Sequence, residues 1–268
     1  VTDLLATLLW PAITLAAGAA VLAPLGVEVF RRGIVFVDLA IAQGAALAAL
    51  LVQLRWHDAA TPLAVMAAGA LGALATAGLA RLLEARLEHG REAAIGLLYV
   101  AGASAGLLVS AHDPHGTAHF TQLLAADVLW ADRTQAAGLV AVASVVLALA
   151  ARGTLAQRDG LFYGVLGLAV APALMALGLY TVFALLIAPA FWAEASGQAR
   201  GRPGRVLLFA VLTSLGALAI SAVLDWPSGA TVAALVALAG LVPTIRRHET
   251  RGKQGNRAEG ETERRSRA

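Results

Sequence analysis

Apolar residues run along this chain in long blocks separated by short polar connections. The blocks fall at about 4–29, 34–54, 60–80, 92–111, 134–151, 161–193, 206–224 and 229–245. Most have the roughly 17–25 residues that a membrane-spanning helix needs. The block 161–193 is too long for one such helix and contains Pro172, Gly178 and Pro189.

Charge settles how that block is read. Arg31, Arg32, Arg81, Arg86, Arg91, Arg152, Arg158, Arg200, Arg202 and Arg205 lie in alternate connections, and the segment after Arg246 is also basic. The remaining connections hold only Arg55 and Arg133. Because cytoplasmic loops concentrate Lys and Arg, the first set is placed in the cytoplasm. Both ends of 161–193 are then cytoplasmic, so the block must cross twice or re-enter, and it is read as two short helices, about 161–176 and 179–193. The result is an all-α, polytopic bundle of about nine transmembrane helices, with the N-terminus outside and the C-terminus in the cytoplasm. A helix broken inside a membrane must be covered by protein or line a cavity, so this hairpin is expected near the bundle centre.

Composition supports the same class. The chain of 268 residues is 59% hydrophobic and 14% charged, against about 25% charged in soluble domains. Its 27 Gly allow helices to approach closely where lipid offers no hydrophobic drive. With no Cys, disulfides and thiolate chemistry are excluded. The pI near 9.9 is accounted for by topology, so no nucleic-acid partner is implied. The first block is long and lacks a basic leader, so it reads as a retained span. The transmembrane domain is expected over 1–245. The segment 246–268 mixes charges with Gly and is expected to be a disordered, largely basic cytoplasmic tail.

Candidate chemistry gathers in three places. Asp38 is a lone carboxylate a short way into an apolar helix, and a charge in hydrocarbon costs several kcal/mol unless it is paired or lines a polar cavity. It belongs either to a translocation path, with Gln43 nearby, or to a helix start, capping N–H groups and pairing with Arg31 or Arg32. The outer loop 112–131 collects His112, Asp113, His115 and His119. These are reasonable ligands for Zn²⁺ and less specifically for Mn²⁺ or Fe²⁺, although polar residues also gather in loops because water is there. Trp130, which follows, is expected at the membrane interface. In the fourth span, Gly102-Ala103-Ser104-Ala105-Gly106 matches both a nucleophile elbow and a G-x-x-x-G packing motif. A nucleophile elbow needs a strand–turn–helix setting that a membrane helix lacks, so packing is preferred. No Walker loop occurs, so ATP is not expected to bind this chain by that route. Glu28, Glu92, Asp127 and Glu194 sit near span ends, where carboxylates reach the interface.

Four segments in order resemble the membrane permease subunit of ABC-type importers of zinc, manganese or iron. They are GVEVFRRGIVFVDLAIAQGAALAALL, REAAIGLLYVAGASAGLLV, PHGTAHFTQLLAADVLWA and GLYTVFALLIAPAFWAE, together covering most of 20–195. The resemblance implies a fold like the cobalamin-type (type II) importer permeases, in which a homodimer holds the path at its two-fold axis. It also implies a separate ATP-binding subunit and an extracytoplasmic solute-binding protein. The subunit itself is then no enzyme; it holds no tightly bound cofactor and moves Zn or Mn across the inner (plasma) membrane. Two departures stand out. Family members often carry a His four residues after the Asp, where this chain has Ala42 and then Gln43. The cytoplasmic connection that contacts the ATPase is short here, RGTLAQRDG (152–160), leaving Arg152, Arg158 and Asp159 as its coupling candidates. The alternatives that remain are an ATP-independent secondary transporter, a permease that has lost ATPase coupling, and an intramembrane hydrolase at Ser104.

Overall fold

The computed structural model describes residues 2–56, 61–87, 90–110, 128–196 and 203–243. Every regular element among them is helical: α1 (Thr2–Arg32), α2 (Val37–Trp56), α3 (Pro62–Arg86), α4 (Arg91–Ser110), α5 (Arg133–Ala151), α6 (Thr154–Gln157), α7 (Asp159–Leu177), α8 (Leu179–Ala195), α9 (Pro203–Leu224) and α10 (Ser228–Pro243), with a 3₁₀ turn at Val128–Trp130. Seven of them are long and apolar enough to cross a membrane, and α8 and α10 are shorter apolar helices. A helix satisfies its backbone polar groups internally, which is why apolar runs of this length adopt it in lipid. Two of them, α3 and α5, start on side-chain caps. Thr61 accepts from the Ala64 N–H at 3.2 Å ahead of Pro62, and Asp132 accepts from the Gln135 N–H at 2.8 Å.

Two groups of helices make up the bundle. The first has α1 at its centre, packed on α5, α8 and α9; in the second, α2 packs on α3 and α4, and α3 on α7. Helix α7 also touches α1, α2, α5 and α8, and so joins the two groups. Small residues let the backbones meet. A Cβ on Gly26 would lie 1.8 Å from the Leu186 carbonyl oxygen, and one on Gly72 would lie 2.3 Å from that of Gly44. In α7, 61% of the apolar window is buried, compared with 17% in α4 and 22% in α3 and α5. The hairpin is therefore interior, while α3, α4 and α5 present apolar faces outward.

The expected break in 161–193 is present. Helix α7 stops at Leu177, Gly178 turns with φ 76° and ψ 161°, and α8 starts at Leu179. Contacts with α1 show that the chain reverses there. Asp159, at the start of α7, meets Arg32 at the end of α1, whereas Leu177 meets Gly18, well back along α1. On the return, Leu186 lies against Gly26 and Phe191 makes an edge contact with Phe30 at 6.3 Å. Helix α7 thus runs against α1 and α8 runs with it. The backbone region that Gly178 occupies is open almost only to glycine, and other residues there cost on the order of 1–3 kcal/mol. Gly178→Val is therefore expected to lower the thermal midpoint of the purified chain by several degrees, as read by a melt in detergent.

Candidate functional site

The corner between α1 and α2 sets the position of Asp38. Gly33 takes φ 67°, and three hydrogen bonds fold the turn: Gly33 N–H to Phe30 O, Ile34 N–H to Val29 O, and Val37 N–H to Ile34 O. Val29, Ile34 and Val37 are fully buried and clamp the corner in place. Asp38 follows in the first turn of α2 and is 1% exposed. Neither carboxylate oxygen has a well-formed hydrogen bond, although the backbone N–H groups of Asp38 and Leu39 face it from the helix start.

Part of one sequence reading is corrected here. The arginines offered as partners for Asp38 are engaged elsewhere: Arg31 donates to Glu28 at 3.0 Å, and Arg32 donates to Asp159. Position in the first helical turn still favours an anion, but among the described residues no opposite charge neutralises this one. A buried carboxylate in that condition is costly to the fold.

Gln43 is also buried, at 2% exposure, with its Oε1 unpartnered. It does not share a face with Asp38, because five residues along an α-helix turn the side chain by roughly 140°. Gln43 packs on α4, where a Cβ on Gly102 would lie 3.0 Å from its own Cβ. The stripe that continues the face of Asp38 is Ala42, Ala45 and Ala49, all buried. Gly69 of α3 closes on Ala45 and Ala49, and Met175 of α7 closes on Gly69. Asp38 therefore faces protein, on the α3–α7 side of α2, and not lipid.

The G-x-x-x-G stretch behaves as a packing surface. Gly102 meets Gln43, Gly106 is buried, and Ser104 is exposed on the opposite side. His112, Asp113, His115 and His119 lie outside the described residues, as do Asp127 and the segment 246–268. Among the described residues, no group of three or more His, Cys, Asp or Glu comes together to hold a metal ion. Trp130 is 85% exposed.

At the cytoplasmic end, α6 forms one turn of helix between Gly153 and Arg158. Arg152, Arg158 and Asp159 are all exposed, and the carboxylate of Asp159 is also paired with Arg32. Phe162 lies beneath the Arg32 guanidinium, with 4.4 Å from its carbon to the ring centre. The Tyr163 hydroxyl donates to Glu84 at 2.7 Å, joining α7 to α3. Tyr163→Phe removes one hydrogen bond to a carboxylate and is expected to cost about 1–2 kcal/mol, measured as a loss of thermal stability. Sequence reasoning passed over Glu84 and Tyr163 as a pair, because they lie 79 residues apart.

Three comparisons with known proteins bear on this geometry. Residues 154–247 match the model of the ABC 3 transport family. A search of curated proteins returns no match. Among solved structures, PsaBC from Streptococcus pneumoniae in complex with Fab shares the fold, with a TM-score of 0.68 and 17% identity, covering 88% of this chain and 90% of that chain. The resemblance to ABC permeases read from four short segments is thereby shown, with the family match falling on 154–247 and the shared fold extending over most of the chain.

Proposed function

We propose that this chain is the membrane-spanning permease subunit of an ATP-driven importer for a divalent metal ion, zinc or manganese. The observation that carries the reading is Asp38: a carboxylate buried without a partner in a permease-like bundle, where a passing cation would supply the missing charge. Oxygen and imidazole ligands suit these ions. In this reading Asp38 meets the ion in the path, and Gln43, about 140° round α2 on its α4 side, lends a carbonyl oxygen at a separate point further along. The outer His112, Asp113, His115 and His119 receive the ion or the solute-binding protein that delivers it.

No group in the chain is assigned covalent chemistry. ATP hydrolysis belongs to a separate subunit, whose contact is made by the exposed α6 turn with Arg152 and Arg158. Two copies form the transporter, with the outward apolar faces meeting lipid and each other. The chain sits in the inner membrane with residues 246–268 in the cytoplasm. Reconstitution with its ATPase in liposomes tests this reading: ATP turnover stimulated by zinc or manganese, with metal accumulation in the lumen, is expected. Turnover indifferent to every divalent metal overturns it.

A further inference from the structure

We propose that Arg32 is a positioning residue that ties the α6 connection to the corner bearing Asp38, so that movement of the connection reaches the carboxylate. The proposal rests on the permease reading and adds to it the route by which the motor acts on the path.

Arg32 has three partners, all between Leu155 and Phe162. Nη1 donates to the Asp159 carboxylate, Nη2 donates to the Leu155 carbonyl at 3.3 Å, and the guanidinium plane covers Phe162. Its Nε alone is without a partner. The side chain is 13% exposed, whereas that of neighbouring Arg31 is 54% exposed and bonds only back to Glu28 on its own helix. A planar fork that hydrogen-bonds at its edge while stacking on its face is a task for arginine and not for lysine.

The corner that follows Arg32 is stiff. Its three backbone hydrogen bonds and the buried Ile34 and Val37 leave little slack between the guanidinium and Asp38, six residues on. The other flank of the connection is held as well. Tyr163 bonds Glu84, and a Cβ on Gly160 would come within 3.3 Å of the Arg81 guanidinium. The segment from α6 to the start of α7 is therefore a strap between the α1–α2 corner and the end of α3. Ala156, Gln157 and Arg158 face outward from it, available to a partner that pushes or pulls.

Because the chain has no Cys, two introduced thiols are unique labelling sites. Spin labels at Phe36→Cys and Ala156→Cys report the separation of corner and connection in the complete transporter, with and without ATP. With Arg32 intact, a narrow distance component for the label pair within each copy is expected, kept as ATP binds and told from distances between copies by mixing labelled with unlabelled chain. Arg32→Ala is expected to broaden it and to reduce metal moved per ATP hydrolysed about tenfold, with turnover itself persisting. Arg32→Lys should restore the ratio only in part, and Arg31→Ala should change neither readout. An Arg32→Ala protein with the parental distance distribution and transport ratio overturns the proposal. If that variant does not assemble, Asp159→Asn and Phe162→Leu each remove one partner, and a parental ratio and distribution in both overturn it equally. Absence of metal-stimulated turnover in the parental transporter would instead defeat the import reading, while the label distances in the purified chain still decide whether Arg32 holds the strap.

Discussion

Asp38→Asn and Asp38→Ala are expected to abolish metal uptake while leaving the folded chain at least as stable as before. The two effects have different origins. In the proposed reading a ligand to a passing ion is lost, which lowers uptake by about 10–100-fold or more, the usual cost of disturbing a metal contact. At the same time a buried carboxylate with no partner is removed, and that group costs the fold several kcal/mol. A gain of even 1 kcal/mol raises the midpoint of a chain of this size by about 2–4 °C. Uptake into proteoliposomes and a thermal melt in detergent, made on the same preparation, test both effects. A carboxylate kept only to start α2 gives the opposite pattern: uptake is retained and the midpoint falls by the fraction of a kcal/mol to about 2 kcal/mol that a helix-terminal charge contributes. Gln43→Ala is expected to have the smaller effect on uptake, because the side chain is seated against Gly102 on another face of the helix.

Gly26→Val is expected to prevent assembly of the bundle. A Cβ at this position would stand 1.8 Å from the Leu186 carbonyl oxygen and 2.7 Å from its carbonyl carbon. Both atoms are backbone, so no rotamer change relieves the clash; α1 and α8 must separate. Overpacking in a tight core costs typically 1–3 kcal/mol, and more where the neighbour cannot yield. Separating α1 from α8 also opens the hairpin on which α10 packs, since Gly240 lies against Ala188. Gly78→Val is the matched control, because nothing lies within 4 Å of a Cβ there and the position is exposed. Size-exclusion chromatography of both variants in detergent separates the outcomes: aggregation for Gly26→Val and a parental peak for Gly78→Val. A parental peak for both means that α1 and α8 do not cross this closely.

The spans were legible because a bilayer admits few structures: an apolar run of about 20 residues has to become a helix. The hairpin was legible for a related reason. Arginines on both flanks of 161–193 demanded an even number of crossings, and Gly178 offered the place to turn. The partners of the charges were not legible. Arg32 lies 127 residues from Asp159, and local reasoning offered it, with Arg31, to Asp38 only six residues on. Nor was the separation of Asp38 from Gln43 foreseen, because proximity along the chain stood in for position around the helix.

By itself, then, the sequence determined that the chain is a bundle of long apolar helices broken within 161–193, which loops are basic, and that one carboxylate lies within an apolar helix. Its helices are apolar on all sides, as lipid requires, so they carry no polar face to show which side meets which neighbour. Only the tertiary structure decided that α1 and α2 belong to different groups of helices, that the strap is anchored on Arg32, and that Asp38 is left unpaired. Those outcomes depend on glycine-sized gaps between distant helices and on contacts across more than 100 residues, which no local pattern records.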